Sequence, residues 1–287
     1  MTNLYRTFGV IIGIGYLLLT SLWKNMPVQV EWGFCIFLLA TLGIPHGAAD
    51  HLVANQLAHT QNKTFNIYYF ILKYISVMVA YGVLWFYFPL ISFTIFIGIS
   101  VFHFGDLETT FISKKTSFDY IYYLQLLRSL ILGLGILGFI LSQHAEEVLK
   151  IVQNFNLGIQ IPFDALPISI YIVCMLIGYQ KEHTSYFINT GMTLLIGTFL
   201  PILPAFMIYF AGCHSVYSLR VLSRSLEINM KTLYIRLLPF TFLAFISGIT
   251  YIMLISAEKW LAHAFIFLSI LTLPHFFLMH KIIPKRL

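Results

Sequence analysis

Gly33-Phe34-Cys35-Ile36-Phe37-Leu38-Leu39-Ala40-Thr41-Leu42-Gly43-Ile44-Pro45-His46-Gly47-Ala48-Ala49-Asp50-His51 is the stretch on which the fold turns. Its first ten residues carry no charge, and its last seven hold two histidines and an aspartate. Taken as 30–52, the segment is long enough to cross a bilayer, which needs about 20 predominantly apolar residues. A membrane helix that ends in ionisable groups bears a cost that is usually tied to function.

The same apolar run recurs along the chain. Transmembrane helices are expected at 8–23, 30–52, 66–88, 90–109, 119–142, 164–180, 186–200, 203–222, 235–256 and 260–280. Pro201 and Pro204 separate the seventh from the eighth, because proline stops a helix. The fold class is all-α, a polytopic integral membrane bundle of about ten helices forming a single membrane domain over 1–287. Composition agrees: 59% of the 287 residues are hydrophobic and 10% are charged, against about 25% charged in soluble domains. The apolar run after Arg6 ends at Trp23 and Lys24 with no small-residue cleavage pattern, so a retained first helix is expected.

The basic residues sort by side. Arg6, Lys63, Lys114, Lys115, Lys181, Arg220, Arg224, Lys231, Arg236, Lys281, Lys285 and Arg286 fall on one side, and Lys24, Lys150 and Lys259 on the other; Lys73 and Arg128 fall inside helices. The positive-inside rule then places both termini in the cytoplasm. This accounts for the net charge of +6 without nucleic acid. Cys35, Cys174 and Cys213 lie in apolar runs without CxxC spacing and read as buried thiols. The longest loops are expected near 53–65 and 143–163, and no extramembrane domain is expected.

His59, His144 and His183 are expected in solvated loops, and His263 and His280 near the two ends of the last helix. His46, His103, His214 and His275 differ. Each lies in the C-terminal half of an even-numbered helix, so all four share the cytoplasmic half of the bilayer, within a turn or two in depth at about 1.5 Å per residue. Neutral imidazole is a common metal ligand, and four at one depth meet if their helices face one another. Asp50, one turn after His46, and Asp106, three residues after His103, share faces with those histidines and are placed to orient a ligating ring. His51 lies five residues from His46 and is not expected on the same ion. Cys213 points about 100° away from His214. An all-histidine donor set suits iron, copper or zinc, and an apolar site at membrane depth suggests a lipid-soluble substrate.

Pro45-His46-Gly47, followed by Asp50-His51, resembles the PHG-x-x-DH signature of the bacteriorhodopsin-related (Brp/Blh) family of membrane β-carotene 15,15′-dioxygenases. The resemblance extends through Phe102-His103-Phe104-Gly105 and His214-Ser215 to Leu273-Pro274-His275. It implies an Fe(2+) enzyme that splits the central double bond of β-carotene with O2 into two all-trans-retinal molecules in the cell membrane, with a functional link to a retinal-binding rhodopsin. The family's iron is assigned to four histidines. His46, His103 and His214 match three, and the fourth, one turn after the third, corresponds to Ser218. His275 completing the site is the preferred expectation. Three histidines plus water, or altered or lost activity, are the other two. Rival readings are a haem-binding or carotenoid-binding protein, or a transporter with Lys73 and Arg128 in its path. A di-iron histidine-box enzyme needs about eight clustered histidines, and the spacing here does not supply them.

Overall fold

A computed structural model describes residues 7–109, 119–155, 167–178, 184–256 and 259–280. Every element among them is helical. Among the described residues, seven helices are long and apolar enough to cross a membrane: Val28–Thr60, Ile67–Tyr87, Pro89–Asp106, Leu126–Gln143, Ile202–Ser225, Met230–Met253 and Trp260–Met279. The three other expected spans correspond to shorter apolar helices, α1 (Phe8–Leu22, 15 residues), α9 (Ile168–Gly178, 11 residues) and α10 (Thr184–Gly197, 14 residues). The segments 164–166 and 179–183, with Arg6, Lys114, Lys115, Lys181, His183, Lys281, Lys285 and Arg286, lie outside the described residues.

Two spans are not uniform helices. The first is α2 (Val28–Leu38), a π-turn (Leu39–Gly43), α3 (Ile44–Ala48) and α4 (Asp50–Thr60). Pro45 has no N–H to give to the carbonyl four residues back, which loosens the ladder where the π-turn forms. The helix then runs on to Thr60, so most of the expected 53–65 loop is helical. The other is α11 (Ile202–Tyr209), a π-turn (Phe210–Ser215) and α12 (Val216–Ser225). The two π-turns meet face to face: a Cβ on Gly43 would lie 2.9 Å from a Phe210 ring carbon.

The α11–α12 span is the axis of the bundle. Within its most apolar window 78% is buried, against 6% for α5 (Ile67–Tyr87) and α13 (Met230–Met253), which therefore face outward. Without a hydrophobic drive between helices in lipid, close packing at small residues brings them together. α6 (Pro89–Thr109) and α7 (Asp119–Gln143) touch at Gly105 and Gly133, where an added Cβ would collide with the backbone carbonyls of Ser129 and Val101. Gly212 lies against Gly9 of α1 in the same way, 3.0 Å from a would-be Cβ to the Gly9 Cα.

The expected 143–163 loop contains α8 (Ala145–Gln153). Its Val148, Ile151 and Val152 pack inward against Tyr81, Trp85 and Ile202, while Glu146 and Lys150 point out. Glu147 Oε2 accepts the Ile202 N–H at 3.1 Å, satisfying one of the free donors at the start of the axial helix. His144 is not solvated, as the sequence had suggested. It is buried, with its ring nitrogens 2.8 Å from the Ile140 carbonyl and 2.9 Å from the Leu200 carbonyl. The last span is α14 (Trp260–His280), with Pro274 inside it.

Candidate metal centre

His46 reaches the site from α3, immediately after its π-turn, and His214 from within the axial π-turn. His103 comes from α6, and His275 from α14 directly after Pro274. π-turns and in-helix prolines re-aim the residues beside them, and three of the four histidines sit at such a point. All four are buried, His214 completely.

The rings meet. His46 Nε2 and His275 Nε2 are 3.1 Å apart, and His103 Nε2 and His214 Nε2 are 3.2 Å apart. Ring centroids separate His46 from His214 by 5.2 Å and His103 from His275 by 5.0 Å, which ties the two pairs into one cluster. One donor atom each from His46, His103 and His275 falls within a mutual span of 4.8 Å. Two ligands at about 2.1 Å from one ion are about 3.0–3.4 Å apart at right-angled to tetrahedral geometry, and the two Nε2 pairs fall in that range.

The donor set also fits a cation in its protonation. His275 Nδ1–H donates to Asp50 Oδ1 at 2.7 Å, which fixes that tautomer and leaves its Nε2 a lone pair toward His46. Asp50 Oδ2 accepts the Tyr74 hydroxyl at 2.9 Å. Asp50 thus touches the cluster through the histidine of another helix, 225 residues on, rather than through His46. Asp106 is buried on α6. Ser218 is also buried, one turn past His214, and does not line the cavity described below. His51 turns away: its Nδ1–H donates to the Ala48 carbonyl at 2.9 Å and its ring stacks on Phe240 at 4.4 Å. Cys213 points elsewhere, with Sγ 3.4 Å from Thr193 Oγ1.

The cluster opens on a cavity of about 360 Å³ lined mainly by apolar side chains, a volume in the ordinary range for a small-molecule site. His46, His103 and His275 stand in its wall with Asp50, Tyr74 and Phe104. Residues of α13 (Phe240, Leu243, Ala244, Ser247) and α14 (Phe267, Leu268, Leu271, Thr272) form the rest of one side. Phe104 meets the His214 ring edge-on at 4.9 Å, and Phe210 stacks at 6.0 Å, closing the cluster on the axial side. Neither Lys73 nor Arg128 lines the cavity, which removes the support for a charged path or haem propionate partners there. Sequence reasoning missed Tyr74: one tyrosine among 17, on a helix without histidine, carries no local signal.

Fold and site define a multi-helix membrane protein with a buried histidine cluster facing an apolar cavity. Residues 37–282 match the family described as Beta-carotene 15,15'-dioxygenase, and the chain belongs to that family. No curated protein and no solved structure matches the chain.

Proposed function

We propose that the protein is an Fe(2+)-dependent β-carotene 15,15′-dioxygenase of the cell membrane that yields two all-trans-retinal molecules. The observation that carries this reading is the convergence of four imidazoles, three of them in the wall of an apolar cavity, in a chain whose family acts on β-carotene. His46, His103, His214 and His275 would hold the iron, and His275 supplies the fourth donor that Ser218 does not. Iron held there supplies the activation of dioxygen.

The protein's own part is to bind, orient and exclude water. Asp50 holds His275 in the tautomer that offers Nε2. The apolar wall takes up the polyene and keeps water from the reacting carbons. The reaction converts one C=C bond and one O2 into two aldehydes with no net gain or loss of protons, so no side chain needs to act as general base. Orientation with both termini cytoplasmic, ten spans rather than seven, and delivery of retinal to a rhodopsin belong to the same reading.

Expression in β-carotene-producing bacteria followed by pigment extraction tests it. The expected result is loss of β-carotene with retinal in its place, and no retinal from His46→Ala. Unchanged β-carotene beside folded, iron-loaded protein defeats the proposal.

A further inference from the structure

Among the described residues, a hydrogen-bonded chain runs from the histidine cluster through Asp50 to Tyr74 of α5. Tyr74 stands in the cavity lining, and its hydroxyl lies 2.9 Å from Asp50 Oδ2 and 3.4 Å from the Leu271 carbonyl. A hydroxyl has a single proton, and the shorter, charge-assisted contact takes it. The second oxygen of Asp50 accepts from His275 Nδ1 at 2.7 Å. Both carboxylate oxygens are therefore committed, one to each side. α5 packs on α14 along its length, and Trp85 Nε1–H donates to Ser269 Oγ at 2.7 Å across the same helix pair.

We propose that Tyr74 is a positioning residue for the metal centre: by fixing the rotation of Asp50 it holds His275 with Nε2 aimed at the shared site. A carboxylate bound at one oxygen only can swing about its side-chain torsion, and the imidazole it holds swings with it. With both oxygens anchored, between α5 on one side and α14 on the other, the ring has one orientation. The inference rests on the metal reading of the cluster, and extends it to a residue of a helix that contributes no histidine.

The test uses the full-length, tag-free protein in detergent and Co(2+) as the probe, read by its visible ligand-field absorption. Tyr74→Phe keeps the ring and removes only the hydroxyl. Asp50→Asn is the reference, since loss of a group that orients a ligand lowers metal affinity by about 10–100-fold. Tyr74→Phe is expected to weaken Co(2+) binding by about 3–10-fold, less than its reference because it acts through one more bond. The double variant Tyr74→Phe/Asp50→Asn is expected to bind as Asp50→Asn does, since residues acting in one chain are not additive. Apo-protein Tyr74→Phe should remain folded at the assay temperature, with a lowered unfolding temperature because a buried Asp50 oxygen loses its donor.

Wild-type affinity and spectrum in Tyr74→Phe overturn the inference. So does a double variant whose loss is the product of the single losses, because Tyr74 then acts without Asp50. Absence of Co(2+) binding by the wild-type chain overturns both the inference and the metal reading. Co(2+) binding that follows the expected pattern, in a protein that leaves β-carotene intact, overturns the proposed reaction alone.

Discussion

At the scale of the residue, the departure of Ser218 from the family pattern is the question that geometry bears on most. Ser218 is buried on the axial helix, yet the fourth imidazole of the cluster arrives from α14, with His275 Nε2 3.1 Å from His46 Nε2. If His275 is the fourth ligand, Ser218→Ala keeps metal binding and product yield within about twofold, because removing an isolated buried hydroxyl leaves no charged group unpaired. His275→Ala is expected to lose both, since it deletes a donor and strands Asp50 in the interior. Retinal yield and Co(2+) absorption measured side by side decide it; retention of both by His275→Ala would leave three histidines, with water or residue 218 in the fourth place. His144 makes a complementary point: loop position in the sequence suggested solvent, but its two ring nitrogens meet the carbonyls of Ile140 at the end of α7 and Leu200 in the turn after α10.

At the scale of the element, the histidine-bearing helices were legible because each joins a long apolar run to an ionisable residue, a combination with few structural explanations. The boundaries of 66–88, 90–109 and 260–280 follow for the same reason: α5, α6 and α14 are uninterrupted apolar helices. What escaped was set by tertiary contact. The π-turns at Leu39–Gly43 and Phe210–Ser215 lie against each other at Gly43 and Phe210; Pro45 follows the first, but nothing in the second run of residues announces its turn. α8 is short and half polar, so it falls below any hydropathy threshold, and α4 continues past the membrane-length limit because nothing after Asp50 breaks it. Only the α6–α7 crossing shows why neither Gly105 nor Gly133 admits a Cβ. Gly133→Ala is therefore expected to lower the thermal unfolding temperature in detergent, with a cost of about 1–3 kcal/mol from forced separation of the backbones. Since α6 also carries His103, the same variant should bind Co(2+) less tightly. Gly15→Ala, on an open face with nothing within 4 Å of its would-be Cβ, serves as the control and should gain slightly or stay level. Equal unfolding temperatures for the two variants would contradict the close-packed crossing.

At the scale of the whole molecule, the arrangement separates a rigid axis from a lipid-side chamber. The axial helix and its partners bury the donor atoms, while α5 packs mainly on α14 and α6, α13 packs mainly on α3, and both flank the cavity. Ile75 of α5 and Leu243 of α13 line the cavity and are nonetheless 51% and 62% exposed. The chamber is therefore open between those two helices, the side from which a water-insoluble polyene would arrive under the proposed function. Ala244, in the wall beside Leu243, is the place to separate chamber from metal: it lines the cavity on α13, a helix that supplies no histidine. Ala244→Trp fills the chamber with a ring that cannot leave. It is expected to reduce β-carotene cleavage by about 100-fold, since displacement of a substrate by an ångström can cost that much. Co(2+) affinity should stay within about twofold, because variants at separate sites with no shared partner are nearly independent. Ser247→Ala, on the same wall, removes one hydroxyl without adding bulk and should leave turnover within about twofold. Full turnover by Ala244→Trp with metal bound would mean that the polyene lies elsewhere and that this cavity is packing slack. Loss of turnover and metal together would instead mean that the chamber wall and the histidine cluster are one packed unit, in which case α13 supports the ligands as well as the substrate.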